Sequence, residues 1–220
     1  MGLLQLAAAA LALGNTALAS PVPEAQAVSA AVKYCDASTG VCYSEYTTPE
    51  KVAFRIAIPD NATAGNFDVL LQIVAPKAVG WAGFAWGGVM VNNPLVVAWA
   101  SGNKTVVSSR SASSRTYPQP YTGATYTVLP GSAANSTHWT LNALAKGVSS
   151  WSTTKLDPAS TAVSFAYAQS AAAPAEPANN ASRFSIHQTR GKWSHDLSSA
   201  KLANFTSQVA KASGGAPAKL

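Results

Sequence analysis

Charge is scarce in this chain. Of its 220 residues 11% are charged, nine acidic and fifteen basic, for a formal net charge of +6. Between Asp68 and Asp157 there is no acidic residue, while Lys77, Lys104, Arg110, Arg115, Lys146 and Lys155 fall inside that window. Nine acidic residues with no evident pairing make a glycosidase a poor match. The surplus cations form no dense Lys/Arg run and no reading motif accompanies them, so nucleic acid is not an expected partner. They imply either one basic face or a solvated surface of mild bias. Cysteine is limited to two residues and methionine to Met1 and Met90. There is no G-x-S-x-G elbow, no H-E-x-x-H, no C-x-x-C-H and no G-x-G-x-x-G, which removes the familiar hydrolase, zinc-protease, covalent-haem and dinucleotide signatures. Past the N-terminus no apolar run reaches spanning length, so no membrane span is expected.

What is present is 48% hydrophobic residues, enough for one globular core and too many for a disordered chain. The opening MGLLQLAAAALALGNTALAS has an Ala/Leu-rich centre followed by Ala17-Leu18-Ala19, a small-x-small cleavage pattern. Residues 1–19 therefore read as a signal peptide, residues 20–206 as one domain and residues 207–220 as a flexible tail that starts in a helical turn. The expected location is extracellular. A mature chain beginning at Ser20 lacks the terminal histidine that a copper polysaccharide monooxygenase uses as a chelate. Acceptors for N-glycosylation stand at Asn61, Asn103, Asn135, Asn180 and Asn204. Cys35 and Cys42 flank turn-forming residues in KYCDASTGVCY, and in an oxidising compartment they are expected to close a hairpin as one disulfide.

Short segments rich in Val, Ile, Tyr, Phe and Trp recur between turn residues: Val52–Ile58, Phe67–Val74, Leu95–Trp99, Thr125–Leu129, Trp139–Leu144 and Ala162–Ala168. No long stretch holds a helical period. The fold class is all-β, an antiparallel β-sandwich, with residues 170–182 (SAAAPAEPANNAS) as a flexible loop.

Met90 lies in GWAGFAWGGVMVNNPLVVAWA, just after Gly87 and Gly88, which would let backbone approach a bulky group. A thioether can fill a core, or it can complete the coordination of haem iron opposite an imidazole. Three histidines are available, His138, His187 and His195. His138 is expected at a strand start near the surface. His195 is expected to be a surface or hydrogen-bonded histidine that faces no iron.

From about Tyr34 to Phe205, through WAGFAWGGVMVNNPLVVAWASGN, YTGATYTVLP, NSTHW and SRFSIHQTRGKWSHDLSSAKLANF, the chain resembles the haem b cytochrome domain of fungal cellobiose dehydrogenases and related stand-alone iron-reductase-type cytochromes of the DOMON-like group. The resemblance implies an immunoglobulin-like sandwich with a haem pocket, haem b as cofactor, and Met90 and His187 as its iron ligands. Trp81, Phe84 and Trp86 are candidates to wall the macrocycle, or ordinary core. Arg115 and Tyr117 are candidates to pair with the haem propionates, because guanidinium and phenol donors suit carboxylates. The implied task is single-electron transfer by a secreted monomer. A flavin-dependent dehydrogenase would be the donor, and a copper polysaccharide monooxygenase or ferric complexes the acceptor, with no autonomous sugar oxidation. The alternative is a secreted β-sandwich that binds carbohydrate and holds no haem.

Overall fold

A computed structural model describes residues 32–214; the expected signal peptide and the end of the expected tail lie outside them. In chain order the strands are β1 (Val32–Cys35), β2 (Cys42–Thr47), β3 (Ala53–Pro59), β4 (Val69–Pro76), β5 (Trp81–Ala85), β6 (Leu95–Ser101), β7 (Lys104–Ser111), β8 (Gln119–Pro120), β9 (Thr125–Val128), β10 (Ala133–Ala134), β11 (His138–Lys146), β12 (Ser150–Trp151), β13 (Thr154–Lys155), β14 (Val163–Ser170), β15 (Thr189–His195) and β16 (Lys201–Leu202), followed by helix α1 (Phe205–Ala212). They build the expected β-sandwich. One sheet runs β1-β2-β3-β4-β11-β10, with β9 also on β11 and β16 on β3. The other runs β15-β14-β5-β6-β7-β8, and β12 and β13 form a separate hairpin.

Alternation explains which residues meet between the sheets. Phe54, Ile56 and Ile58 of β3, Val69, Leu71 and Ile73 of β4, and Trp139, Leu141 and Ala143 of β11 face Ala82 and Phe84 of β5, Val96 and Ala98 of β6, Phe165 and Tyr167 of β14, and Trp193 of β15. Trp86, just past β5, joins them. Trp193 stacks on Tyr46 (centroids 4.7 Å apart) and on Phe54 (5.5 Å), so the middle of the core is aromatic.

Among the longer strands β5, β7 and β15 escape the sequence pattern, β5 because both of its faces are covered. The second sheet packs on the first by its inner face, while the segment from Ala171 to Gln188 crosses its outer face. There Phe184 meets Trp81 (4.9 Å) and the Trp99 indole donates to the Pro177 carbonyl (2.7 Å). Trp81-Ala82-Gly83-Phe84-Ala85 is consequently buried throughout and shows no alternation. The serine-rich β7 and the Gly191-containing β15 carry too few apolar residues to stand out.

That crossing segment includes residues 170–182, expected as a flexible loop; the structure pins it instead. Arg110, 1% exposed, donates to the carbonyls of Asn180 (3.1 Å) and Ser182 (3.0 Å) and to Ser108 Oγ (2.6 Å). Carbonyl dipoles and a hydroxyl, rather than a carboxylate, compensate this buried cation. Burial lowers its pKa, with the Tyr117 phenol opposing.

The expected tail begins in helical structure, as read from the sequence, and the helix is longer than one turn. Phe205–Ala212 is helical, and its Phe205 and Ala212 pack with Val41, Tyr43, Ala57, Leu70 and Leu129 on the outer face of the first sheet. The Cys35–Cys42 disulfide joins directly paired positions of β1 and β2, as expected. Its hairpin is tied down by Asp36, whose carboxylate accepts from Ser38 and from Gln72 Nε2 of β4.

Candidate functional site

The register of the second sheet defines a strip on its outer face. Gly83 of β5 lies between Ala168 of β14 and Val97 of β6, and Ala85 lies between Ala166 and Leu95. At the β14–β5 boundary the side chains are thus only hydrogen or methyl. Beyond them on the edge strand, Arg190 pairs with Ala168 and Lys192 with Ala166, both exposed.

One end of this strip is the loop from Trp86 to Pro94, which carries Met90. Gly88 adopts φ +75°, and a Cβ there would lie 2.4 Å from Ser164 Oγ at the start of β14, so only glycine fits without rearrangement. Asn93 holds the loop together. Its Nδ2 donates to the carbonyls of Val89 (2.9 Å) and Val91 (3.0 Å), one on each side of Met90. Its Oδ1 accepts from the Trp151 indole (3.0 Å). Gly87 leaves the necessary space, since a Cβ at that position would sit 1.9 Å from Asn93 Oδ1. Replacing Asn93 with alanine removes both clamps and leaves the buried Trp151 N–H unpaired, an expected cost of about 2 kcal/mol. Thermal unfolding together with amide exchange across residues 89–91 measures it. Unchanged protection in that loop would show that Asn93 does not restrain it.

The other end of the strip is the segment that enters β15. Gln188 N–H donates to the Gln169 carbonyl (2.9 Å) near the end of β14, and His187 immediately precedes it. Upstream, Ser185 Oγ accepts from the Trp81 indole (3.2 Å) and Arg110 holds Ser182. Tyr117 takes part in the same anchoring: its hydroxyl donates to the Ser182 carbonyl (3.2 Å) and accepts from Phe184 N–H (3.3 Å). The side chains of Met90 and His187 are half-buried, and no hydrogen bond, ion pair or ring contact engages either one among the described residues. A thioether and an imidazole without protein partners, on loops at the two ends of β14, form a donor set suited to a low-spin iron.

The other candidates divide clearly. Arg115 is exposed in the β7–β8 connection and Tyr117 is half-buried beside Arg183, whose guanidinium lies 5.2 Å from the phenol ring centroid. Phe84 and Trp86 belong to the core between the sheets, and Trp86 donates to the Tyr126 hydroxyl (2.9 Å). Of the three aromatic candidates only Trp81 lies on the outer face, in a cluster with Val97 and Trp99. His138 begins β11 and is exposed, as expected. His195 is hydrogen-bonded, as expected, but it is buried at 2% exposure rather than superficial. Its Nδ1 accepts from the Trp193 indole (3.1 Å), and burial first, against a nearby Asp196, lowers its pKa to about 4. All five glycosylation acceptors are exposed.

Two positioning residues, Arg110 and Asn93, are invisible as such in the sequence. A lone arginine in a serine-rich strand carries no signal. Asn93 reads as turn chemistry because its partner Trp151 is 58 residues away. Among the described residues no helix is long and apolar enough to cross a membrane.

Comparison with known proteins bears on this arrangement. The family model described as the cytochrome domain of cellobiose dehydrogenase matches residues 34–207. A pyrroloquinoline quinone-dependent pyranose dehydrogenase of Coprinopsis cinerea is 34% identical over 130 residues, covering 57% of this chain and 17% of that protein. The chain therefore aligns with only a small part of that relative. Among solved structures, the cytochrome b domain of pyranose dehydrogenase from Coprinopsis cinerea superimposes with a TM-score of 0.77 at 22% identity, covering 87% of this chain and 100% of that one. The cytochrome domain of Myriococcum thermophilum cellobiose dehydrogenase gives 0.75 at 22% identity, covering 83% and 96%.

Proposed function

Because the chain belongs to the family of cellobiose dehydrogenase cytochrome domains, we propose that it is a secreted electron-transfer protein whose Met90 and His187 hold haem b. The observation that carries this reading is the pair of unpartnered donors at the two ends of one strip of small side chains. A thioether and an imidazole left without protein partners are the donor types that would hold a haem iron.

Bound there, the cofactor would supply one reversibly exchanged electron. The protein's residues determine the rest. Met90 and His187 would hold the group, and with both donors engaged no open position would remain for oxygen or an organic substrate, so the chemistry would be outer-sphere electron transfer. The thioether favours the reduced metal and raises the potential relative to two imidazoles. Asn93 fixes the backbone on either side of Met90, and Arg110 and Tyr117 fix the segment leading to His187, so neither donor must be ordered at the moment of transfer. Exposed Arg115, Arg183, Arg190 and Lys192 lie on the loops and edge strand of this sheet, and they suit propionates or an acidic protein surface. The donor in this reading is a flavin-dependent dehydrogenase, and the acceptor is a copper polysaccharide monooxygenase or a ferric complex.

An absorbance scan of the secreted product tests the reading. A Soret band that sharpens and shifts on dithionite reduction is expected. A colourless product that takes up no added haem, and that instead sediments with cellulose or chitin, would replace it with the carbohydrate-binding alternative.

A further inference from the structure

At the end of the sandwich away from the Met90 loop, a cleft of about 300 Å³ opens where the sheets part. Glu50 from the β2–β3 turn, Pro76, Ala78 and Val79 from the β4–β5 connection, and Gln169 and Thr189 from the ends of β14 and β15 line it. Two oxygens in this lining, Glu50 Oε2 and Gln169 Oε1, are buried and have no hydrogen-bond partner. Gln169 as a whole is 5% exposed. Both orphaned atoms are acceptors, so a ligand that satisfies them must bring donors.

The donor could be a cation or a hydroxyl group, and the surroundings distinguish them. The lining holds a single carboxylate, and no group of three His, Cys, Asp or Glu exists among the described residues. Exposed Lys51 and Lys77 are each the sequence neighbour of a lining residue, so the charge beside the cleft disfavours a cation. Ser170, Gln188 and Thr189 supply further polar groups to the lining, and two phenols lie nearby. Tyr46 and Tyr167 have raised pKa values, first through burial, with Glu50 adding to the shift. Neutral hydroxyls meet no such repulsion, and the aliphatic wall of Pro76, Ala78 and Val79 suits C–H faces. No aromatic side chain lines the cleft to serve as a platform for a polymer strand.

We infer that this cleft binds one pyranose-sized, polyhydroxylated unit, whose hydroxyls donate to Glu50 Oε2 and Gln169 Oε1. It is a binding site with no chemistry of its own, and it stands whether or not the chain carries haem.

Titration calorimetry of the full secreted protein with D-glucose, cellobiose and, separately, calcium chloride tests the inference. Saturable sugar binding with Kd of about 1 mM is expected. Glu50→Ala should weaken it at least tenfold, since a bond to a charged acceptor is lost, and Glu50→Gln should weaken it less. Circular dichroism confirms that each variant is folded, and an unaltered visible spectrum separates this result from any failure of the electron-transfer reading. Absence of saturable sugar binding overturns the inference. So does binding undiminished in a folded Glu50→Ala, or saturation by calcium alone.

Discussion

Replacing His187 or Met90 with alanine is expected to erase the low-spin reduced spectrum of the haem-loaded protein and to lower haem retention by more than tenfold. Removing even an outer partner of a metal ligand typically costs 10–100-fold in affinity, and removal of the ligand itself exceeds that. The two variants differ in detail. Without Met90 the iron retains an imidazole and gains an open position, so a high-spin spectrum should replace the low-spin one. Without His187 the remaining thioether is a weak donor, and loss of the cofactor should dominate. His195→Gln serves as the control and should leave the spectrum intact, because that imidazole already accepts from Trp193 and is buried in the core. Spectra of reduced protein after gel filtration decide the matter. A normal low-spin spectrum in either alanine variant would remove that residue from the ligand pair.

His195 itself is the source of the second large effect, on stability. Its Nδ1 is occupied as an acceptor and its Nε2 is buried without a partner, so a second proton would both break the Trp193 bond and place a cation in the core. The folded-state pKa of about 4 lies below the ordinary 6.5 of an unfolded chain. Between those values the unfolded state binds the extra proton and the native state does not, so stability falls as pH is lowered from 6.5 towards 4 and levels off below. The integrated loss is on the order of 3 kcal/mol. Asp36 acts in a separate window: its burial is outweighed by hydrogen bonds from Ser38, Gln72 and Thr39, its pKa is lowered, and its contribution disappears only as pH falls below the usual carboxylate range. Urea unfolding at pH 7.0 and 4.5 is the measurement. His195→Gln should flatten the difference, and equal wild-type stability at both pH values would contradict the account.

How far the sequence could be read followed from how local each cause is. Strands with one solvated or mixed face, such as β3 with Phe54, Ile56 and Ile58 alternating against Arg55, announce themselves. So does a disulfide across a tight turn. By contrast β5 is covered on both faces, by a segment that lies far along the chain, and β7 and β15 carry too few apolar residues to show a pattern. The helix at residues 205–212 reads as tail because its apolar partners, Tyr43, Leu70 and Leu129, come from three distant elements. Of the candidate site, Met90 and His187 are singled out only by the resemblance to a family. Their residue types allow other roles, and the supports from Asn93 and Arg110 depend on contacts 58 and 72 residues apart in the chain.

Helix α1 lies on the outer face of the first sheet, whereas the loops that carry Met90 and His187 flank the ends of β14 in the second. A protein tethered after residue 214 would therefore begin its path behind the sandwich. Two sheets about 10 Å apart and a helical layer of similar depth separate it from the loops proposed to hold haem. At no more than about 3.5 Å per residue, roughly ten or more extended residues would be consumed in rounding the edge before such a passenger could face them. Short fusions at this end should keep a passenger away from the Met90 and His187 loops, and long ones should deliver it there.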